Sequence, residues 1–341
     1  MCKYTPNLSI VVPAYKSAAT LPILVERIDA LWKQLELDDD SRELIIVNDG
    51  SPDSTWQVIC RLAEQHTWVR GIDLMRNYGQ HNALLRGIRA ARFEVIVTMD
   101  DDLQHPPEEV PRLLEKLQEG CDVVYGVPEH EQHGLGRDVA SRVTKLVLQS
   151  TMGAEIASNI SAFRAFRTQI RDAFANYESP SISIDVLLTW ATTRFAMVKV
   201  RHSPRLHGTS NYTLRKLMTH AFNMLTGFST IPLQLASLIG FVCTLFGMGI
   251  LAYVLGRYFI SGSTVAGFPF LASVIAILGG AQLFALGIIG EYLARMHFRT
   301  MGRPYSVVRD ITYMPVSVAP PESTAITSPE PAKVHQSQSR H

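Results

Sequence analysis

The chain has 341 residues, with 32 Lys and Arg against 31 Asp and Glu, and 47% of its residues are hydrophobic. The resulting net charge of +1 excludes the strongly basic surface that is typical of nucleic-acid-binding proteins. Four cysteines, Cys2, Cys60, Cys121 and Cys243, stand far apart. This spacing argues against a disulfide framework or a cysteine metal site and favours reduced thiols.

The N-terminal part of the chain predicts alternating strands and helices. The apolar run LSIVV (8–12) predicts a strand, and a helix follows, in which Leu24, Ile28, Leu31 and Leu35 share one face. Further strands are predicted at ELIIV, VRGIDLM and EVIVTM, with helices at STWQVICRLAEQH and HNALLRGIRAA between them. This alternation is typical of parallel βαβ units, so the fold class is α/β.

Acidic turns follow two of the predicted strands. The strand that ends at Val47 is followed by Asp49, and the strand that ends at Met99 is followed by the acidic cluster 100–102. Because ligands of open α/β sheets bind beyond the carboxyl ends of strands, we expect these carboxylates to share one crevice. The sequence has neither GxGxxG nor GxxxxGK[ST], which argues against a dinucleotide fingerprint and a P-loop ATPase.

The acidic cluster predicts a divalent metal site. In an extended segment, Asp100 and Asp102 point the same way while Asp101 points elsewhere, and Gln104 adds a carbonyl oxygen. Mg²⁺ usually binds through one or two carboxylates together with substrate phosphates. The alternative is a solvated acidic turn before the helix predicted at PPEEVPRLLEKLQEG.

Two long apolar stretches predict a membrane hairpin. No charged residue lies between Lys216 and Arg257, and the predicted spans are 231–257 and 267–294. The alternative is a pair of buried core helices. Basic residues flank the hairpin on both sides, whereas Arg257 is the one charge in its loop. The positive-inside bias therefore places both flanks, and the large N-terminal domain, in the cytoplasm.

The remaining segments have less specific patterns. Residues 1–210 form the predicted catalytic domain, and 211–230 has the apolar spacing of an interfacial helix, unless it packs on that domain. After the hairpin we expect a juxtamembrane segment at 295–314 and a disordered tail, rich in Pro and Ser, at 315–341. The run 8–12 is too short for a signal peptide.

Four motifs in order carry a family resemblance. IVVPAY, IIVNDGS, RNYGQH and DDDLQHPPEE, followed by the apolar hairpin, resemble the family-2 glycosyltransferases of the GT-A fold. Within that family the set is similar to the polyprenyl-phosphate sugar transferases, and RNYGQH favours their formamido-arabinose branch. The resemblance implies a Rossmann-like mixed sheet that binds a nucleotide-sugar, then an interfacial helix and a two-helix transmembrane hairpin.

The resemblance assigns donor-site roles. It implies that Asp100, Asp102 and Gln104 hold Mg²⁺ or Mn²⁺ against the donor diphosphate. It also implies that four residues bind the nucleotide-sugar, namely Pro13, Tyr15, Asp49 and Asp101. A strand end, a core aromatic and a helix-cap carboxylate are the alternatives for the first three. The chain departs from its relatives at Lys16 and Ser17, where Asn and Glu are common, and at Asn48, where an acidic residue is common.

The resemblance also assigns acceptor and diphosphate roles. The implied residues are Arg137, Ser141, Arg164, Arg205 and Ser210, with a solvated surface position as the alternative for each arginine. Asn211 replaces a lysine that is usual in the family, so more of the cationic role falls to Arg205. Asp102 and Arg205 are the catalytic candidates. Asp185 is a weaker candidate for a base, because a carboxylate at a helix start explains it equally well.

The reaction implied is attack by a polyprenyl phosphate, such as undecaprenyl phosphate, on a nucleotide-activated sugar at the inner membrane. Relatives imply inversion at the anomeric carbon and a homotetramer. A processive polysaccharide synthase is a second hypothesis, but its Q-x-x-R-W motif is absent. A third is a membrane-anchored sugar-nucleotide sensor without catalysis, against which the intact Asp100, Asp102 and Gln104 set argues.

Overall fold

The computed structural model describes residues 6–129, 160–178, 182–202, 231–261, 267–302 and 304–312. Within these residues, eight strands form one sheet. In chain order, β1 to β8 are Leu8–Ala14, Arg42–Asn48, Val69–Leu74, Val95–Thr98, Val123–Pro128, Arg164–Arg167, Phe195–Val200 and Val308–Ile311. The described α-helices, α1 to α7, are Leu21–Gln34, Thr55–Gln65, Gln80–Ala90, Val110–Gln118, Ile184–Ala191, Ile231–Ser261 and Phe268–Thr300.

The sheet is mixed, with the order β7-β5-β6-β4-β1-β2-β3-β8. Strand β1 pairs in parallel with β2 and β4, and β2 pairs in parallel with β3. Strand β6 runs antiparallel to both of its neighbours, and β8 runs antiparallel to β3. The predicted α/β class and mixed sheet are therefore confirmed.

Helices cover both faces of the sheet, which explains why the central strands β1 and β4 are buried along their whole length. All seven residues of β1 are buried. Helices α1, α2 and α4 contribute to the core on one face, and α3 and α5 to the core on the other. On α1 the predicted apolar face is confirmed, since Leu24, Ile28 and Leu31 are buried and Leu35 packs against them while partly exposed.

A buried carboxylate lies near the amino ends of β1 and β2, away from the acidic turns. Glu43 is fully buried and accepts hydrogen bonds from Ser9 Oγ (2.7 Å), Arg70 Nη1 (2.7 Å) and the Arg92 main-chain N–H (2.7 Å). A buried charge is tolerated when it is paired and hydrogen-bonded, as it is here. Glu43 therefore joins β1, β2 and β3 at this edge.

Helices α6 and α7 are long and apolar enough to cross a membrane. The stretches that qualify are Pro232–Arg257 and Ile277–Ala294, with mean hydropathies of 2.3 and 1.5, and neither is buried inside the protein. Side chains along both helices are exposed, for example Phe241 at 61% and Leu283 at 72%. Buried core helices would hide such side chains, so their exposure indicates a membrane protein.

After α7 the chain returns to the sheet as β8. The Gly71 N–H donates to Thr312 Oγ1 at 2.8 Å, and the Thr312 N–H donates to the Gly71 carbonyl at 3.1 Å. Tyr305 is buried, and the Arg89 guanidinium lies 4.5 Å from its ring centroid. The predicted juxtamembrane segment 295–314 thus contains the end of a helix and an edge strand. The predicted interfacial helix (211–230) and tail (315–341) lie outside the described residues.

Replacement of Glu43 by Ala would leave the Arg70 guanidinium, whose side chain is 11% exposed, without its carboxylate. We expect Glu43→Ala to lower the free energy of unfolding by about 3–5 kcal/mol, as for other broken buried ion pairs. The matched control is Glu108→Ala, which removes an exposed pair with Arg27 and should cost about 0–1 kcal/mol. Denaturation of the full chain in detergent measures both variants, and equal losses would contradict the structural role of Glu43.

Candidate active site

Three turns meet at the carboxyl edge of the sheet. They follow β1, β2 and β4, which end at Ala14, Asn48 and Thr98 and run parallel to one another. This edge is where ligands of open α/β sheets bind. The sequence-predicted donor residues therefore lie on neighbouring turns.

Asp101 joins the turn after β4 to the turn after β1. Its Oδ2 accepts hydrogen bonds from the Tyr15 main-chain N–H (3.3 Å) and from the Ser17 hydroxyl. Burial raises the pKa of the Asp101 carboxyl above its ordinary value, and these two hydrogen bonds oppose that shift. Ser17, where relatives commonly have glutamate, thus serves here as a donor to an aspartate.

Asp100 and Asp102 have other partners. Asp100 Oδ1 accepts a hydrogen bond from Gln80 Nε2 at 2.6 Å, and Asp102 Oδ1 accepts one from the Gln104 N–H at 3.1 Å. Leu103, between Asp102 and Gln104, has a left-handed backbone with φ of 62°, which makes the turn tight. The three carboxylates therefore have different hydrogen-bond partners, and residues 101 and 102 form a turn rather than the extended segment assumed from the sequence.

The donor set of this turn fits a hard divalent cation. Asp100, Asp102 and Gln104 are all half-buried, and together they offer two carboxylates and an amide. Among the described residues, no three His, Cys, Asp or Glu side chains are grouped so that they alone would hold a metal ion. A site with two carboxylates needs further oxygens, and for Mg²⁺ these usually come from water and substrate phosphates.

Asp49 holds the loop between β3 and α3. Its two oxygens accept hydrogen bonds from the main-chain N–H groups of Tyr78 (2.7 Å) and Gly79 (2.8 Å). Burial raises the pKa of the Asp49 carboxyl, and the two hydrogen bonds oppose the shift. Gly79 has φ of 95°, which favours glycine, and α3 begins at the next residue, Gln80. Asp49 therefore helps to place the side chain that contacts Asp100.

Pro13 and Tyr15 differ in exposure. Pro13 is buried within β1, whereas 46% of Tyr15 is exposed beside the acidic turn, with Lys16 Nζ 5.6 Å from the centroid of its ring. Tyr15 is therefore accessible to a ligand at this edge. The nucleotide-binding roles of Pro13, Tyr15, Asp49 and Asp101 stay predictions.

Arg164 lies inside the protein. On β6 it is 2% exposed, and its guanidinium forms an ion pair with Asp185. The Tyr125 hydroxyl also donates to Asp185, at 3.0 Å, and burial raises the pKa of Tyr125 well above its ordinary value. Asp185 lies in the first turn of α5, as the helix-start alternative predicts. The role of Arg164 in acceptor binding stays a prediction.

His105 is a buried residue near the site that the sequence reasoning did not single out. Its ring stacks on Phe163, with centroids 5.4 Å apart, and meets His202 edge-on at 5.3 Å. Burial, together with His202, lowers the pKa of His105 to about 4, so the ring is neutral at pH 7. The family motif DDDLQHPPEE contains His105 and could have pointed to it. The motif RNYGQH contains Gln80 in the same way.

The other predicted site residues lie outside the described residues. They are Arg137, Ser141, Arg205 and Ser210. His202 is the last described residue before the segment that contains Arg205. The predicted roles of these four residues in acceptor and diphosphate binding, and of Arg205 in catalysis, stay predictions.

Comparison with known proteins identifies the family. The model of glycosyl transferase family 2 matches residues 9–174. An undecaprenyl-phosphate 4-deoxy-4-formamido-L-arabinose transferase from Yersinia enterocolitica is 34% identical over 308 residues, which are 89% of this chain and 93% of the relative. A protein of the same name from Pectobacterium carotovorum is 34% identical over 95% of this chain and 98% of its own length.

A solved structure gives a more distant likeness. Glucosyl-3-phosphoglycerate synthase from Mycobacterium tuberculosis, in complex with Mn²⁺, UDP and glucosyl-3-phosphoglycerate, has a TM-score of 0.47 and 20% identity. The match covers 65% of this chain and 78% of that one. The assignment rests instead on the family model and on the relatives that match along nearly the whole chain. The chain therefore belongs to glycosyl transferase family 2 and, within it, to the polyprenyl-phosphate glycosyltransferases of the GT-A fold.

Proposed function

We propose that this glycosyltransferase moves a sugar from a UDP-sugar to undecaprenyl phosphate at the cytoplasmic face of the inner membrane. The observation that carries the proposal is the acidic turn after β4, where Asp100 and Asp102 share the carboxyl edge with the exposed Tyr15. The similarity to undecaprenyl-phosphate transferases along most of the chain supports the lipid acceptor.

Asp100, Asp102 and Gln104 would hold the divalent ion, Mg²⁺ or Mn²⁺. When bound, the ion supplies charge neutralisation for the departing diphosphate. Pro13, Tyr15, Asp49 and Asp101 bind the nucleotide-sugar. Asp101 and Asp49 also accept hydrogen bonds from main-chain N–H groups, which holds the surrounding turns in place. Gln80 donates to Asp100 and so fixes the direction of that carboxylate.

The chemical step needs little acid–base help. A lipid phosphate oxygen forms a bond to the anomeric carbon as the bond from that carbon to the diphosphate oxygen breaks, with inversion. The electron pair leaves with the nucleoside diphosphate. Since a phosphate monoester has its second pKa near 6, the nucleophile is already largely ionised at pH 7. Catalysis then depends on positioning and electrostatics, and Asp102 serves to orient the acceptor.

The remaining parts of the proposal concern binding and topology. Arg137, Ser141, Arg164, Arg205 and Ser210 contact the acceptor phosphate or the donor diphosphate, and Arg205 assists departure. Residues 1–210 form the cytoplasmic catalytic domain, and 211–230 lies at the membrane interface. The helices α6 and α7 anchor it in the membrane, and four copies assemble.

The donor and acceptor are tested together. The purified full chain is incubated with labelled UDP-, GDP- and dTDP-sugars, undecaprenyl phosphate and Mn²⁺, and label is counted in the organic phase. We expect transfer from a UDP-sugar, abolished by chelator. Absence of both lipid product and released nucleoside diphosphate would favour the sensor, and a long polymer product would favour the processive synthase.

The two carboxylates that face the donor are tested by removing their charge. We expect Asp100→Asn/Asp102→Asn to lower kcat/KM on the order of 10³-fold, because charge stabilisation at the leaving group is lost. The matched control is Asp39→Asn, which should leave initial rates unchanged. Asp39 is an exposed residue before β2 that pairs with Arg42. A double variant that transfers sugar as fast as the control would contradict the assignment.

Asp101 should behave differently from its neighbours. Asp101→Ala removes the acceptor for Tyr15 and Ser17, so the turn after β1 loses its attachment to the acidic turn. We expect the KM for the donor to rise about tenfold, the scale of one charged hydrogen bond, while the Mn²⁺ concentration for half-maximal rate stays unchanged. Steady-state kinetics measures both. A large change in metal requirement would instead make Asp101 a ligand.

A further inference from the structure

We propose that Arg309, on the strand that follows the second apolar helix, is a positioning residue for the turn Tyr15–Ser17, after β1, which is called the donor turn below. Arg309 acts on this turn through Asp73 and Asn48. Its link to the donor rests on the proposed function, whereas the chain of contacts is independent of it. The contacts run across three adjacent strands of the sheet, β8, β3 and β2.

The first contact joins β8 to β3. Arg309 Nη1 lies 3.3 Å from Asp73 Oδ2, and its Nη2 donates to the Met75 carbonyl at 2.7 Å. Asp73 is 1% exposed, so its charge depends on partners inside the protein. Among the described residues, Arg309 forms the ion pair with Asp73, and its own side chain is 55% exposed.

The second contact joins β3 to β2. Asn48 Nδ2 donates to the other oxygen of Asp73, Oδ1, at 2.6 Å, and Asn48 is 2% exposed. A carboxylate only accepts hydrogen bonds, so Asp73 obliges Asn48 to present its NH₂ group on this side and its oxygen on the other. This contact also accounts for the departure at position 48. An acidic residue there would put two buried carboxylates at hydrogen-bond distance.

The third step reaches the donor turn. Asn48 Oδ1 accepts hydrogen bonds from the Ser51 hydroxyl (2.5 Å) and the Ser51 N–H (3.3 Å). Ser51 Oγ in turn accepts from the Lys16 N–H at 3.1 Å. Lys16 has φ of 59°, a left-handed conformation that needs support from its surroundings. Its neighbour Tyr15 donates to Asp101, which completes the path to the acidic turn.

This path gives β8 a role beyond that of an edge strand. Helix α7 ends at Thr300 and β8 begins at Val308, so a short connection separates the apolar hairpin from Arg309. The Asp73 carboxylate fixes the orientation of the Asn48 amide, and Arg309 forms the ion pair with that carboxylate. Loss of Arg309 should therefore loosen Tyr15–Ser17, although Arg309 itself does not contact that turn.

Three variants test the path in the full chain. Arg309→Gln removes the cation, and Asn48→Asp places two carboxylates together. The exchange Asn48→Asp/Asp73→Asn restores one amide and one carboxylate at the same pair of positions. The matched control is Arg194→Gln, which breaks an exposed pair with Asp122 beside β7, at the opposite edge of the sheet.

Two measurements are made on each variant. The first is the rate of hydrogen–deuterium exchange in the segment 14–18 without ligand. The second is steady-state kinetics, which gives the KM for a UDP-sugar, the KM for undecaprenyl phosphate and kcat. We expect faster exchange and a donor KM raised about threefold in Arg309→Gln and about tenfold in Asn48→Asp, the range of one hydrogen bond, with little change in the acceptor KM. In the double variant Asn48→Asp/Asp73→Asn, the hydrogen-exchange rate and the donor KM should both return towards the parent values.

The outcomes separate this inference from the proposed function. An unchanged hydrogen-exchange rate of segment 14–18 in Arg309→Gln and Asn48→Asp would overturn the path. So would a rate in the double variant that does not return towards the parent value. Faster exchange with an unchanged donor KM would overturn the positioning role. If the parent transfers no sugar to the lipid, the proposed function fails, and UDP binding measured by calorimetry with Mn²⁺ replaces the donor KM. A purely structural role would lower stability alone and leave that affinity unchanged.

Discussion

The repulsion among three adjacent aspartates is the constraint on which the site depends. The structure resolves it by giving each carboxylate a different hydrogen-bond donor: Gln80 for Asp100, Tyr15 and Ser17 for Asp101, and the Gln104 N–H for Asp102. The central carboxylate is thus used to join two turns, whereas the outer two remain at the carboxyl edge. A cation held there would relieve the remaining repulsion.

The same use of carboxylates organises the rest of this edge. Asp49 holds the loop before α3, and Asp73 fixes the amide of Asn48. Each of these buried acids accepts from groups on a different strand or turn, so the turns are positioned relative to one another before any ligand binds. Such preorganisation is what a reaction driven by positioning and charge requires. Strand β8 brings the chain that follows the apolar hairpin into this arrangement.

The sequence predicted the parallel strands of the central sheet because their apolar runs are continuous, and α1 because its apolar spacing is helical. It did not predict β8, since VRDI (308–311) alternates too briefly to be told from a loop and its partner β3 lies more than two hundred residues earlier. It predicted Asp100–Asp102 as site residues by composition, but it did not single out Gln80 or His105, whose places depend on tertiary contacts. The pairing of Arg164 with Asp185 is equally non-local.

The most direct test of the central claim is to locate the metal. Crystals of the full chain grown with Mn²⁺ and UDP, measured at the manganese absorption edge, would show where the ion binds. A metal site in this turn predicts an anomalous peak bonded to carboxylate oxygens of both Asp100 and Asp102, beside the diphosphate. A peak bonded to neither residue, or UDP bound at this edge without a metal, would contradict it.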